Sequence, residues 1–270
     1  MARRHETVSF LSDYGTVDEF AGVVKSVVRS IAPHALVIDV THEVPPHDVR
    51  SGSLALARAV QYLAPGVVLA VVDPGVGTTR RAVAVEVGEE GEGVFVGPDN
   101  GLLAGAVALT GGATRAVELT NAKYHLEAPG PTFAGRDIFG PVAAHLCNGV
   151  DLVEFGDEID PLGLLPGILP LSRDEDGGVA AEVLWIDRYG NVQLNVDPAD
   201  IDAWGDRVVV SWGSERRTAT RARTYGDIGP GVVALVVDSY GLVSIAVDRG
   251  SAAEQLKLHP AMAVRLEPPS

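Results

Sequence analysis

An aspartate and an arginine that follow the most apolar segment of the chain could together hold a water molecule. Residues 67–72 are continuously apolar, the motif Asp-Pro-Gly-Val-Gly begins at Asp73, and Arg80 follows it. Proline and glycine favour a tight bend, which leaves Asp73 at the end of the preceding strand. A carboxylate and a guanidinium that converge on one point can orient and polarise a water. Because Arg81 adjoins Arg80, the local sequence leaves open which arginine points inward, and a surface turn with an ordinary ion pair is the alternative.

A second motif, Ser-Asp-Tyr-Gly from Ser12 to Gly15, follows the first apolar run of the chain. In an open α/β sheet, ligands bind beyond the carboxyl ends of the strands. The carboxylate of Asp13 could accept two hydrogen bonds from a ribose diol, and Asp18 could hold an ammonium group. The alternative is an ordinary turn followed by an acidic residue that favours the helix dipole.

The last third of the chain contains two similar turn motifs, one beginning at Asp187 and one at Asp238. In the first motif, Tyr189 offers an aromatic face and Asn191 an amide, and together they could recognise a purine. A purely structural turn explains the first motif equally well. The second motif, which contains Ser239, is most simply a hairpin turn.

The segment from Thr132 to Phe139 predicts a loop that leads into a helix, with Gly135 as the hinge. Asp137 would lie in the first turn of that helix, where a negative charge is favourable. The adjacent residues Asp99 and Asn100 predict a helix cap, formed by one of the two side chains.

Alternating strands and helices must position these side chains in the first part of the chain. The pattern predicts a mostly parallel sheet with helices on both faces. The first helix is expected to open at Thr16, with Glu19 as its capping-box partner, and to end before Pro33. The other expected helices cover 49–63, 102–109 and 137–147, and the expected strands cover 8–11, 35–40, 67–72, 82–87, 94–96 and 116–119.

The pattern changes after Asp160, where a stretch rich in proline and glycine predicts a linker over 161–178. The domain limits are therefore 1–160 for an α/β domain and 179–270 for an all-β domain. No helix is expected in the second domain, whose short strands fit a small barrel or sandwich. The expected strands cover 179–186, 208–212, 217–224, 232–237, 242–247 and 263–266.

Composition excludes several classes of partner and site. The net charge of −15 argues against nucleic acid and against an anionic membrane surface. The single cysteine, Cys147, excludes an internal disulfide framework and a cysteine-based zinc site. The seven histidines lack the usual ligand spacings, so no metal site is expected. The apolar run near the N-terminus is too short for a signal peptide or a membrane span, which favours the cytoplasm.

Taken in order, the motifs resemble the S-adenosyl-L-methionine (SAM) hydroxide adenosyltransferase family, which is related to the SAM-dependent fluorinase and chlorinase. The resemblance runs from Phe10 to Ala253. It implies an α/β N-terminal domain that binds SAM, a C-terminal β-barrel and a homotrimer with active sites between subunits. The implied reaction is attack of water or hydroxide on C5′ of SAM, which gives adenosine and L-methionine without a further cofactor.

The resemblance also assigns roles to single residues. Asp73 and Arg80 match two members of a water-activating triad, whereas Ala134 stands where the family carries the third member, a histidine. Halogenases carry tyrosine at the position of Asp73, so Asp73 favours hydrolysis over halide transfer. The substrate-binding matches are Asp13 for the ribose diol, Asp18 for a further substrate contact, Asp187 and Ser239 for the methionine amino group, and Tyr189 and Asn191 for the nucleoside.

The leading hypothesis is therefore a SAM hydrolase that Ala134 makes slow, because losing one such group commonly costs about 10²–10⁴-fold. A designed His-to-Ala replacement and a natural difference both fit this residue. The alternatives are a non-catalytic SAM or adenosine binding protein and a halide-dependent 5′-halogenase. Methyl transfer is the weakest alternative, since the chain has no glycine-rich SAM-binding loop of the usual type.

Overall fold

In a computed structural model of the chain, residues 5–88 and 92–269 are described. They form an N-terminal unit and a C-terminal unit, with the division between Ile168 and Leu169. This division falls inside the predicted linker, and the exact domain limits stay a prediction.

The N-terminal unit is built on one seven-stranded sheet with the strand order β2-β1-β3-β5-β4-β6-β7. Five of these strands, β1, β2, β3, β5 and β6, run in one direction, and β4 and β7 run in the other. The prediction of a mostly parallel sheet is confirmed. The strands are β1 (Thr7–Ser12), β2 (Leu36–Thr41), β3 (Val67–Val71), β4 (Ala82–Val87), β5 (Gly93–Pro98), β6 (Ala113–Glu118) and β7 (Asp157–Ile159).

Helices cover both faces of this sheet, as the sequence predicts. The α-helices are α1 (Phe20–Ile31), α2 (Val49–Ala59), α3 (Ala104–Leu109) and α4 (Gly140–Cys147). Helices α1 and α4 form one core with alternate residues of the strands, such as Leu69, and helices α2 and α3 form the other core with Val68 and Ala70. Strand β3 is therefore buried on both sides, which explains why its sequence is continuously apolar.

The predicted start of the first helix is wrong. Helix α1 begins at Phe20, and Glu19 precedes it without a side-chain capping bond. The hydroxyl of Thr16 donates instead to Oε1 of Glu43 at 2.9 Å. Residues 13–19 form a loop whose Gly15 adopts a φ of 67°, and the Gly15 N–H donates to the carbonyl of His42 at 2.7 Å. The loop takes up the residues that the sequence pattern assigned to the first helical turn, so Asp18 lies before the helix.

The segment before α4 is a π-helical turn, Gly135–Phe139, that runs directly into the α-helix. Single π-helical turns are frequent at functional sites. A Cβ atom at Gly135 would overlap the hydroxyl of Tyr14, so this close approach requires glycine. The prediction of Gly135 as the residue that joins loop and helix is consistent with this geometry.

We expect Gly135→Ala to lower the free energy of unfolding by about 1–3 kcal/mol, because the added methyl must displace the partly buried Tyr14 ring. Chemical denaturation measures this change. Gly22→Ala is the matched control, since nothing lies within 4 Å of the Cβ atom it would add in α1. That control should gain up to about 1 kcal/mol from helix propensity. A Gly135→Ala protein as stable as the parent would show that the contact with Tyr14 is not tight.

The C-terminal unit is a closed seven-stranded barrel with the order β10-β14-β13-β12-β11-β15-β9, closed by pairing of β9 with β10. Of the two architectures that the sequence predicts, barrel and sandwich, the structure therefore confirms the barrel. All pairs are antiparallel except β12 with β13, and the short strand β8 extends the sheet beyond β9. The strands are β8 (Arg173–Glu175), β9 (Gly178–Ile186), β10 (Val192–Leu194), β11 (Arg207–Trp212), β12 (Glu215–Arg221), β13 (Val233–Val237), β14 (Val243–Val247) and β15 (Ala263–Glu267).

Three features of the C-terminal unit differ from the sequence-based expectation. Strand β8 lies within the predicted linker, and β10 was not predicted. A short helix, α5 (Ala252–Leu256), lies where no helix was expected. Its N-terminus is capped by Ser251, whose Oγ accepts a hydrogen bond from the Glu254 N–H at 3.1 Å. These elements are too short for periodicity to reveal, and the barrel core that Ala252 and Leu256 join stabilises α5.

Candidate active site

Asp73 and Arg80 form a closely bonded, nearly buried pair at the end of β3. Nε of Arg80 donates to Oδ1 of Asp73 at 2.9 Å, and a guanidinium Nη2 pairs with the other carboxylate oxygen. The side chain of Asp73 is 5% exposed and that of Arg80 is 12% exposed. The Thr78 hydroxyl donates to the Gly75 carbonyl at 2.7 Å and shapes the intervening turn. Two parallel bonds fix the orientation of both groups, as positioning a water requires.

The structure shows that Arg80, and not Arg81, is the partner of Asp73. Arg81 donates to Oδ2 of Asp99 through Nε at 2.9 Å and Nη2 at 2.5 Å, and to the Gly163 carbonyl at 2.6 Å. Asp99 also accepts the Leu165 N–H at 2.8 Å. The prediction of a helix cap at Asp99 or Asn100 is wrong, because α3 begins only at Ala104. Asp99 instead ties Arg81 to the segment around Leu165.

A cavity of about 240 Å³ brings three of the sequence motifs together. Asp13, Asp73 and Ala134 lie in its wall, although they are far apart in the sequence. Ligand pockets commonly measure about 300–1,000 Å³, so this cavity would enclose only part of a ligand as large as SAM. The remaining lining residues are Tyr14, Phe20, Pro46, His47, Val76 and Thr132.

Asp13 is held at the end of β1 by the loop that follows β2. Its Oδ2 accepts the N–H of His47 at 2.9 Å, and His47 adopts a φ of 68° to make this contact. The sequence indicated only a loop residue at His47. The neighbouring Ser12 hydroxyl contacts Nδ1 of His42 at 2.8 Å, and the other ring nitrogen contacts Asp39 at 3.1 Å. Sequence reasoning missed these supporting residues because they lie on β2 and the turn after it.

Burial governs the protonation of two groups in this cavity. Burial raises the pKa of Asp73, while the charge and hydrogen bonds of Arg80 oppose the rise. Burial also raises the pKa of Tyr14, and the charges of Asp13 and Asp73 raise it further. Tyr14 therefore stays a neutral phenol at physiological pH, and its oxygen contacts the backbone of Gly135.

Ala134 lies between this cavity and a second one. The residue is 7% exposed and precedes the π-helical turn directly. It lines the 240 Å³ cavity together with Asp73, and it lines a separate cavity of about 630 Å³ together with Arg80. A larger side chain at this position would therefore have space next to the Asp73–Arg80 pair.

Not all predicted site residues meet at this cavity. Asp18 is exposed and lies outside its lining. The remaining four belong to the C-terminal unit. In that unit Asp187 accepts the backbone N–H groups of Tyr189 at 2.8 Å and Asn191 at 2.9 Å, and the Asn191 side-chain amide donates to it at 2.8 Å. This turn leaves Tyr189 79% exposed.

The turn that contains Ser239 repeats this geometry. Asp238 accepts the backbone N–H groups of Tyr240 at 2.9 Å and Leu242 at 3.2 Å. Burial raises the pKa of Tyr225, and the charges of Asp187 and Asp238 add to the rise, so both carboxylates lie near this phenol. The sequence motifs do not reveal Tyr225 as a member of this cluster, whereas the repeated Asp-x-Tyr-Gly pattern is a signal for Asp238.

Between residues 5 and 88 and between 92 and 269, no helix has the length and hydropathy that crossing a membrane requires. In the same part of the chain, no three His, Cys, Asp or Glu side chains form a group that could hold a metal ion.

Comparison with known proteins places these features in a family. Residues 8–156 match the model of the SAM hydroxide adenosyltransferase N-terminal domain, and residues 181–265 match that of its C-terminal domain. A protein named (R)-S-adenosyl-L-methionine hydrolase from Salinispora tropica is 46% identical over 96% of this chain and 97% of its own length. A fluorinase from Actinopolyspora mzabensis is 26% identical, with 96% of each chain covered.

A solved structure agrees with this placement. The crystal structure of an uncharacterised conserved protein from Thermotoga maritima superimposes with a TM-score of 0.88 and 34% identity, covering 96% of this chain and 99% of the other. The two domain matches together span most of the chain, and their order is that of the two units described above. The chain belongs to the SAM hydroxide adenosyltransferase family.

Proposed function

We propose that this protein hydrolyses (R)-S-adenosyl-L-methionine to adenosine and L-methionine. The observation that carries the proposal is the buried Asp73–Arg80 pair, which lies beside a cavity that Asp13 and Ala134 also line. The relative from Salinispora tropica, which is named for this hydrolysis, is 46% identical over nearly the full chain.

The proposed chemistry is an in-line displacement at C5′. The C5′–O bond forms while the C5′–S bond breaks, the sulfur of methionine keeps the electron pair, and the attacking water loses a proton. Arg80 stabilises hydroxide character on the water and Asp73 orients it. Holding the nucleophile in line with the leaving sulfur can supply much of the rate. No further cofactor takes part, since the positively charged sulfonium is already a good leaving group.

The proposed binding mode follows the family assignment residue by residue. Asp13 accepts the ribose hydroxyls, and Asp18 makes a further substrate contact. Asp187 and Ser239 hold the amino group of methionine, while Tyr189 and Asn191 contact the nucleoside. We propose a homotrimer with active sites between subunits, in which these C-terminal groups come from the neighbouring subunit. The small volume of the cavity beside Asp73 supports a site that needs additional walls.

Incubation with SAM tests the function directly. Chromatography should reveal adenosine and methionine in equal amounts, formed faster than in a buffer control. If neither the parent protein nor the Ala134→His variant formed these products, the proposed hydrolysis would be wrong.

A non-catalytic SAM or adenosine binding protein is the second candidate, and the methyl side chain of Ala134 at the proposed water site favours it. Calorimetry would then show tight binding without turnover in both the parent and Ala134→His. Halogenation is a third candidate, suggested by the fluorinase relative. The carboxylate of Asp73 should repel a halide, so we expect no 5′-chloro-5′-deoxyadenosine even at high chloride.

We expect Asp13→Asn to raise KM for SAM about tenfold or more, because hydrogen bonds to a charged acceptor contribute about 1.5–3 kcal/mol. The effect on kcat should be smaller, since the ribose contact is present before and during the reaction. Steady-state kinetics measure both constants. Asp160→Asn is the matched control, since the Asp160 carboxylate accepts the local N–H of Leu162 and does not line the cavity. An unchanged KM for Asp13→Asn would contradict the ribose assignment.

A further inference from the structure

His42 holds the chain on both sides of Asp13. Nδ1 of its ring lies 2.8 Å from the hydroxyl of Ser12, the residue before Asp13, and its carbonyl accepts the N–H of Gly15 at 2.7 Å. The Ser12 hydroxyl also accepts the N–H of Tyr14 at 3.3 Å. Ser12 and His42 are buried, and a hydrogen bond is electrostatically stronger in such surroundings than in water. The loop that carries Asp13 is therefore attached to one histidine at two points.

The ring of His42 is oriented by Asp39, on β2. Oδ1 of Asp39 lies 3.1 Å from Nε2 of His42, and Oδ2 accepts a hydrogen bond from Nζ of Lys25 at 3.0 Å. Partial burial acts to raise the pKa of Asp39, but the hydrogen bonds and charges of Lys25 and His42 outweigh it and hold this pKa below its ordinary value. The ionised carboxylate only accepts hydrogen bonds, so Nε2 of His42 donates to it. Nδ1 of the neutral ring is then an acceptor, to which the Ser12 hydroxyl donates.

The order serine, histidine, aspartate resembles the catalytic triad of serine hydrolases, but the burial of Ser12 excludes a nucleophilic role. Ser12 is 0% exposed, and neither Ser12 nor His42 lines the cavity that contains Asp13. In the triad the carboxylate also bonds Nδ1 and the serine Nε2, whereas His42 makes the opposite pair of contacts. The network can therefore act on the site only through the loop that it holds.

Asp13 is the group in this loop whose position matters most for a ligand. Its N–H donates to the Val71 carbonyl at 3.3 Å, and its Oδ2 accepts the N–H of His47 at 2.9 Å, which places the carboxylate in the cavity wall. A binding group that is displaced by about 1 Å can cost a site about 10²-fold. The bonds on either side of Asp13 therefore decide how well its carboxylate meets a ribose.

We propose that His42 positions Asp13 for the ribose diol of the nucleoside, by fixing the Ser12 hydroxyl and with it residues 12–15. This inference rests on the proposed function, which assigns the ribose hydroxyls to Asp13. His42 is a positioning residue, since it acts through the loop and does not touch the substrate. Removing its ring nitrogens should weaken recognition of the two ribose hydroxyls and leave the other nucleoside contacts unchanged.

Calorimetry with two nucleosides separates this role from a general structural one. Adenosine carries the ribose diol, whereas 2′,3′-dideoxyadenosine lacks both hydroxyls. His42→Phe removes both nitrogens and keeps a ring against Phe10, whose ring centroid lies 4.7 Å from that of His42. We expect it to weaken adenosine binding about three- to tenfold and to change dideoxyadenosine binding less than about twofold, because only adenosine uses Asp13. Equal losses for the two nucleosides would show a general structural role and overturn the proposal.

A double-mutant cycle tests whether His42 acts through Asp13. In an Asp13→Ala background, His42→Phe should change the affinity for adenosine less than about twofold, since the group that it positions is gone. The same loss in both backgrounds would show that His42 acts elsewhere, and it would overturn the proposal.

Ser12→Ala is the second variant, because it leaves the histidine in place and removes only the hydroxyl that joins the ring to the loop. It should show the same selective loss of adenosine binding. His42→Asn should recover most of the affinity, since its amide lies near the position of Nδ1. His34→Asn is the control: Nε2 of His34 lies 3.1 Å from the Cys147 carbonyl, and the residue does not line the cavity. Its affinity for both nucleosides should equal that of the parent.

The parent protein distinguishes failure of this inference from failure of the proposed hydrolysis. A parent without a preference for adenosine over dideoxyadenosine would overturn the ribose assignment of Asp13 and the role of His42 with it. A parent that prefers adenosine but forms none from SAM would overturn the hydrolysis alone.

Discussion

Ala134→His should raise kcat for SAM hydrolysis about 10²–10⁴-fold, the usual contribution of a positioned acid–base group. Ala134 is nearly buried and lines both cavities, so an imidazole in its place has space beside Asp73 and Arg80. The ring would accept the proton of the attacking water directly. KM should change little, because this interaction strengthens only as the water ionises. Rapid-quench measurement of adenosine at saturating SAM gives the rate constant.

Ala128→His is the matched control for this gain. It places an imidazole in the 630 Å³ cavity only, because Ala128 does not line the cavity that contains Asp73. Its kcat should stay within about threefold of the parent. If Ala134→His bound SAM normally and turned it over no faster than Ala128→His, position 134 would have no part in activating water.

Asp73→Asn should lower kcat about 10²–10⁴-fold. The substitution removes the carboxylate that orients the water and leaves the guanidinium of Arg80 without its bidentate partner. It also lowers the free energy of unfolding, since breaking a buried ion pair commonly costs about 3–5 kcal/mol. Turnover must therefore be compared among folded proteins, at a temperature well below their unfolding transitions.

The chain contains a matched control in the pair formed by Arg81 and Asp99. Both aspartates accept two guanidinium bonds and are nearly buried, with side chains 5% and 4% exposed. Asp99 differs because it lies away from the cavity that contains Asp13, and it accepts the Leu165 N–H. Asp99→Asn should thus lose stability to a similar degree while kcat stays within about threefold of the parent. Equal losses of kcat in the two variants would remove Asp73 from the reaction.

The acid side of the pH profile supplies a further check on Asp73. The proposed role needs the ionised carboxylate, and burial raises the pKa of Asp73 above the ordinary value of an aspartate. Activity should therefore fall on acidification at a higher pH than an exposed carboxyl group would give. This fall in activity should be absent from the pH profile of the residual activity of Asp73→Asn. A step at the same pH in this variant would assign the titration to another group.

Sequence predicted the fold well where the apolar composition of a segment reflects its burial. The composition of residues 82–87 predicts a strand, and this segment is strand β4, which is buried on both faces. The start of α1 was mistaken, since Thr16 and Glu19 imitate a capping box while the chain uses them in a loop. The short helix α5 was missed because its burial in the barrel core, rather than its own sequence, decides it.

The part of the site that lies at strand ends could be predicted from sequence motifs. Motifs at strand ends identified Asp13 and Asp73, because topology brings such ends together. The choice between Arg80 and Arg81 required side-chain geometry, since two adjacent residues of equal charge differ only in direction.

The measurement that tests the central claim most directly is hydrolysis of SAM in ¹⁸O-labelled water. Water attack at C5′ beside Asp73 and Arg80 predicts adenosine with one ¹⁸O atom at its 5′ oxygen and an equal amount of unlabelled methionine, both seen by mass spectrometry. Methionine without labelled adenosine, S-adenosylhomocysteine, or a 5′-halogenated nucleoside as the product would contradict it.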